Sequence, residues 1–156
     1  MARVSTREEK NVYQLRREEL GLSRERAAAL LNGISEDKIY RIEEKGAIPH
    51  PDDVLAMAEG YKMPSLCNHF CSTLCPIGRK NVLRVEVRDL PAIVLETLAS
   101  LNAIDKHKER FIEIAADCKI DASEIEDFND IQEALRKISM AVEALRLWSE
   151  QMEVEE

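Results

Sequence analysis

Three cysteines four residues apart, Cys67, Cys71 and Cys75, with His69 between the first two, concentrate reactive side chains in a chain of 156 residues and four cysteines. Thiolates and imidazoles bind zinc or iron, and closely spaced thiols sense redox state. The stretch MPSLCNHFCSTLCP reads as one helix over residues 65–75, opened by Pro64 and stopped by Pro76. A step of four residues overshoots one helical turn by about 40°, so the three sulfurs form a slanted ridge beside Leu66, Phe70 and Leu74. A regular helix spreads them over roughly 12 Å, too far for one zinc with bonds of about 2.3 Å. Any two would need His69 or Cys118 to complete a ligand set, and His69 points roughly 160° away from Cys71. Three readings stay open: a metal site at Cys67, Cys71 and Cys75 holding zinc or an iron–sulfur cluster, a thiol redox sensor, and small apolar knobs that need no cofactor.

The elements that carry this ridge are helical throughout. Hydrophobic residues make up 45% of the chain and charged residues 33%, with five glycines and five prolines. Few turn formers and abundant Ala, Leu, Glu and Arg predict an all-α fold. The first half divides into short helices: Arg7 to Leu20, closed by Gly21; SRERAAALL from Ser23; SEDKIYRIEEK from Ser35, closed by Gly46; and DDVLAMAEGY from Asp52. Helices of about ten residues are unstable alone, so these four must pack as one bundle.

The run LGLSRERAAALLNGISEDKIYRIEEKGAIPHPDDVLAMAEGY resembles the helix-turn-helix domain of the Cro and lambda-repressor-like (XRE) family over about residues 10–61. The features that carry it are GLS before the second helix, I-x-R-I-E in the third, and G-x-x-x-P... leading to the fourth. The resemblance implies a DNA-binding transcriptional regulator whose second helix crosses the backbone and whose third enters the major groove of double-stranded DNA. It places Arg24 and Arg26 near phosphates and Ser35, Glu36, Asp37, Lys38 and Tyr40 at the groove. Arg24 stands where the family often has Gln, and an arginine there neutralises a phosphate. Glu36 and Asp37 have two readings: carboxylates facing the groove oppose binding, whereas in a first helical turn they complement the helix dipole.

The second half is built differently. Residues 1–80 carry 13 Lys+Arg and 12 Asp+Glu, and residues 81–156 carry 9 and 18, so the net charge of -8 is concentrated beyond residue 80. Pro91 opens a long helix with Val94, Leu98, Leu101, Ile104, Phe111, Ile114 and Cys118 on its apolar stripe, Cys118 reading as core. After a turn capped by Asp121 or Ser123, a second helix to about Met152 carries Ile125, Phe128, Ile131, Leu135, Ile138, Val142 and Leu145. The expectation is an antiparallel hairpin, with domains at 1–78 and 79–156, the second dimerising or receiving a signal. KNVLRVEVRDL, between them, reads either as helix start or as an extended linker, its apolar and charged residues alternating. A homodimer is expected because half-sites one DNA turn apart need a two-fold partner.

Several classes find no support. There is no G-x-G-x-x-G, Walker loop, H-E-x-x-H or G-x-S-x-G, and His107 lies in the charge run DKHKER, so no enzyme is expected. The N-terminus shows no apolar h-region and no run of eighteen apolar residues, which makes the cytoplasm the expected compartment and excludes a membrane span. The other class that fits is a protein-interaction module that keeps the helix-turn-helix fold with little DNA affinity, metal- or redox-responsive through the three cysteines.

Overall fold

The protein was analysed as a computed structural model, which describes residues 10–116 and 119–153. The expected helix start at Arg7 and the core placement of Cys118 lie outside these residues. All regular structure among the described residues is helical: α1 (Val12–Glu19), α2 (Arg24–Leu30), α3 (Glu36–Glu44), α4 (Pro51–Gly60), α5 (Ser65–Thr73), α6 (Gly78–Asn81), α7 (Leu90–Ala115) and α8 (Ile125–Glu153). The chain divides into two compact units: the first takes the chain up to Arg84 together with the residues from Gln151 onward, and the second spans Val85–Glu150.

In the first unit, short polar side chains decide where each helix begins. Asn11, Ser23 and Ser35 accept the amides of Gln14, Arg26 and Lys38 and so cap α1, α2 and α3. Asn11 thereby holds the start of α1 at Val12. α4 begins at Pro51 rather than Asp52: His50 is its cap, and Asp53 returns its carboxylate to the His50 amide at 3.0 Å. Between α2 and α3 the chain reverses at Gly33, whose φ of +94° disfavours any side chain.

Side chains then tie the short helices together. Ala27, Ile39, Met57 and Tyr61 are fully enclosed at the centre of the bundle, and Leu66 and Phe70 of α5 close it. Arg16 of α1 donates to the Tyr61 and Lys62 carbonyls at 3.0 and 3.2 Å, answering acceptors left open at the end of α4. Asn11 donates to the Ile42 carbonyl at 2.8 Å, which fixes α1 against α3.

The cysteine helix is shorter than its sequence predicts. α5 stops at Thr73, and the amides of both Leu74 and Cys75 turn onto the Phe70 carbonyl, at 2.9 and 3.0 Å. Pro76 is the reason, because it pushes the residue before it out of the helical region. Cys75 therefore leaves the ridge, and the following turn folds back so closely that a Cβ at Gly78 would lie 2.0 Å from the Cys71 carbonyl oxygen. Only glycine fits there. α6, which the sequence reading missed, starts at this contact, and residues 82–89 then run to α7 without helix.

The second unit is an antiparallel hairpin of α7 and α8 packed together. Asp89 caps α7 and Pro91 sits in its first turn, and at the other end Arg110 donates to Asp127 at 2.7 Å. The buried positions keep Ile114 and Ile131 of the predicted stripe and correct most of the rest. Ile93, Ser100 and Ile114 are buried on α7, and Ile131, Ala134, Ala141, Ala144 and Leu147 on α8, whereas Val94, Leu98, Leu101, Phe111, Ile125, Leu135, Val142 and Leu145 are exposed. Ile93, Ser100 and Ile114 fall on a seven-residue repeat, as do Ala134 and Ala141, and alanine lets helices approach closely. A narrow seam in which Ser100 and three alanines alternate with Ile93, Ile114, Ile131 and Leu147 leaves many of the larger apolar side chains outside.

Candidate nucleic-acid interface

The α2–turn–α3 segment presents one continuous polar face, whose residues follow from helical geometry. Ile39, Ile42 and Glu43 of α3 are buried, which turns Asp37, Tyr40, Arg41 and Glu44 outward at spacings of three and four. Ser35 lies at the tip as the cap, with Glu36 exposed beside it. Both acids occupy the first turn, the position where negative charge is stabilised by the helix dipole.

Beneath this face lies a network of ion pairs. Arg17 of α1 grips Glu43 with two hydrogen bonds, 2.6 and 2.8 Å, and gives a third to the Leu22 carbonyl at 2.6 Å. The hydrogen bond to Glu43, working against burial, holds the Arg17 guanidinium above its ordinary range. Arg24 of α2 donates to Glu43 at 2.8 Å and to Glu44 at 2.6 Å. Burial lowers Arg24's basicity, and the bonds and charges of Glu43 and Glu44 outweigh it. One buried carboxylate thus joins α1, α2 and α3 and sets the angle between the last two.

The predicted contact residues are distributed unevenly over this framework. Arg24 is committed to the two glutamates, and its guanidinium carbon lies 5.3 Å from the Tyr40 ring centre. Lys45 approaches the same ring at 5.8 Å, so Tyr40 is held between two cations. Lys38 reaches across to Asp53 of α4 at 2.7 Å, and Asp37 pairs with Arg41 at 3.0 Å. Arg26 is exposed and makes no ion pair among the described residues. Arg41, Glu44 and Lys45 are additional surface residues that the sequence reading did not select. Arg41 could have been found from its position four residues after Asp37.

The face is balanced in charge. Between Ser23 and Gly46 there are five Lys or Arg and five Asp or Glu residues, one of the acids being the buried Glu43. The exposed pair Asp37–Arg41 is worth roughly 0–1 kcal/mol, so Arg41 can exchange its partner for a phosphate at little cost. Such an exchange leaves Arg26, Arg41 and Lys45 as the mobile cations of the face.

The cysteines lie away from it. Cys67, Cys71 and Cys75 are half-buried, outside disulfides, and pack against the core of the first unit. Cys75 Sγ accepts the Gly78 amide at 3.4 Å. No group of three or more His, Cys, Asp or Glu side chains among the described residues is arranged to hold a metal ion. Tyr13 meets the His69 ring edge-on at 6.3 Å, and its hydroxyl is buried without a hydrogen-bond partner among the described residues.

Residues 14–66 match the sequence family described as a helix-turn-helix domain, a family of the Cro-like type. No curated protein and no solved structure matches the chain. No helix among the described residues is long and apolar enough to cross a membrane.

Proposed function

We propose that this helix-turn-helix domain of the Cro-like type makes the chain a sequence-specific, XRE-type transcriptional regulator, with α3 in the major groove of double-stranded DNA. The observation that carries the reading is the outward row of Asp37, Tyr40, Arg41 and Glu44 on a helix whose other side is locked by the Arg17–Glu43–Arg24 network. A rigid helix with a polar, side-chain-rich outer face suits base-edge readout. Arg41 is the candidate base reader, Arg26 and Lys45 the phosphate contacts, and Ser35 and Lys38 lie at the groove mouth. Arg24 acts mainly by holding Tyr40 and the α3 end in place.

The active form in this reading is a homodimer. Val94, Leu98 and Leu101 of α7 and Val142 and Leu145 of α8 are exposed on a unit of only two helices. A second copy laid on them would complete a four-helix bundle and bring two α3 helices into one assembly, as a two-fold operator requires. The acidic charge of this unit directs the contact to DNA through the first unit.

The balanced charge of the α2–α3 face favours a second reading, a protein-interaction module with little affinity for DNA. Retardation of duplex DNA across salt concentrations separates the two. Binding at low salt that falls steeply with the logarithm of salt concentration supports phosphate contacts. Absence of retardation at low salt refutes the first reading and leaves the second.

A further inference from the structure

The segment between the two units, VLRVEVRD at residues 82–89, is neither helix nor strand. It enters and leaves in extended conformation, with φ/ψ of -114°/121° at Val82 and -66°/153° at Asp89. Its start is fixed: the Val82 amide donates to Gly78 at 2.7 Å, and Asn68 of α5 donates to the Leu83 carbonyl at 3.0 Å. In an extended chain the backbone groups of successive residues point to opposite edges. The edge carrying Leu83 is therefore occupied by Asn68. On the other edge, the backbone N–H and C=O groups of Arg84 and Glu86 have no hydrogen-bond partner among the described residues.

We infer that this free edge pairs with the same segment of a second copy, as a two-stranded antiparallel ribbon centred on Val85. The inference rests on the dimeric reading above and adds the contact that sets its register. A two-fold axis through an antiparallel pair must pass through one residue, because opposed residues share a face of the ribbon. Centring on Arg84 opposes arginine to arginine, and centring on Glu86 opposes glutamate to glutamate and Arg84 to Arg88. Centring on Val85 opposes Arg84 to Glu86 twice and stacks Leu83 on Val87 and Val85 on Val85. One face is then apolar and the other has opposite charges directly across, the favourable cross-strand arrangement.

The edge occupancy agrees with that register. With Val85 as a non-hydrogen-bonded pair, Arg84 and Glu86 exchange backbone hydrogen bonds with their opposites, and Leu83 keeps its carbonyl turned outward toward Asn68. Arg88 already pairs with Glu96 at 2.7 Å, so the stronger charge complement lies at the centre of the ribbon, where Glu86 has no other ion pair among the described residues. Short self-pairing edges of this kind are otherwise an aggregation hazard, and the α6 and α7 helices limit this one to a few residues.

The full-length chain tests this directly. Non-hydrogen-bonded opposed residues have Cα atoms about 4.5 Å apart, within the roughly 4.4–6.8 Å that a disulfide spans. V85C under mild oxidation should give a covalent dimer whose cross-link maps by mass spectrometry to position 85 in both copies, and E86C should not cross-link to itself. R84E or E86R alone puts like charges opposite each other twice and should weaken the dimer about tenfold, while R84E/E86R together should restore it. A wild-type dimer with no V85C cross-link, or one indifferent to both single reversals, overturns the ribbon and leaves the dimer standing. A wild-type chain that is monomeric throughout overturns both, and DNA retardation then judges the α3 reading separately.

Discussion

Replacing Glu43 by Gln should collapse the relation between α1, α2 and α3. Its side chain is 1% exposed and that of Arg17 7%, so water does not screen the pair. Glu43 accepts two bonds from Arg17 and one from Arg24. The amide is nearly the same shape, yet it removes the charge and aims N–H groups at a guanidinium. Leaving a buried charge without its partner costs roughly 3–5 kcal/mol, a large share of the roughly 5–15 kcal/mol that holds a domain folded. At about 4–8 °C per kcal/mol for a unit of this size, E43Q should melt roughly 12–40 °C lower. Urea denaturation followed by circular dichroism measures the free energy directly. The double variant R17M/E43M is the control, because an apolar pair of similar volume restores most of the stability. A loss below about 1 kcal/mol in E43Q would mean that the pair behaves as a screened surface bridge and that the network does not set the α3 angle.

Two further perturbations probe the core. The hydroxyls of Tyr13 and Tyr61 are buried without hydrogen bonds among the described residues, and burial, with the Glu43 charge, pushes Tyr61 up to about 12. Phe at either position removes an unsatisfied polar group, and each variant should gain roughly 1 kcal/mol and melt higher; a loss of similar size would show that the hydroxyls have partners in solution. Burial and then Arg84 lower the His69 pKa below its ordinary 6.5. The unfolded chain takes up that proton as pH falls through 6.5 while the folded chain resists it. Stability should thus be level above about pH 6.5 and decline below it, and His69→Gln should flatten the decline between pH 6.5 and 5 relative to wild type. An unchanged slope would remove His69 as its source.

The parts of the fold set by local chemistry were readable in the residues. Ser23, Ser35 and the glycines after α1 and α3 mark helix ends because a cap or a left-handed turn depends on only a few neighbours. His50 was missed as a cap since histidine rarely serves, and its role depends on Asp53 returning the bond. On the hairpin the apolar stripe meets the buried seam at Ile114 and Ile131 and elsewhere lies one residue away from it: large residues dominate a periodicity reading, while close packing selected Ser100, Ala134, Ala141 and Ala144. Pro76 marks that α5 must stop before it but not that it stops at Thr73, and the Gly78 turn onto Cys71 is a contact between elements with no sequence period. The groove-facing residues named by resemblance cluster on α3, and the partners that restrain Arg24 and Lys38 emerge only when α2, α3 and α4 are packed together.

The central claim is that α3 reads the major groove, where guanine presents N7 and O6 acceptors. Methylation interference at guanine N7, on a fragment selected by binding to the intact chain, measures that contact. The account predicts two clusters of interference about 10 base pairs apart, the nearer bases weakened further in R41A. A retarded complex that tolerates N7 methylation at every guanine would contradict it.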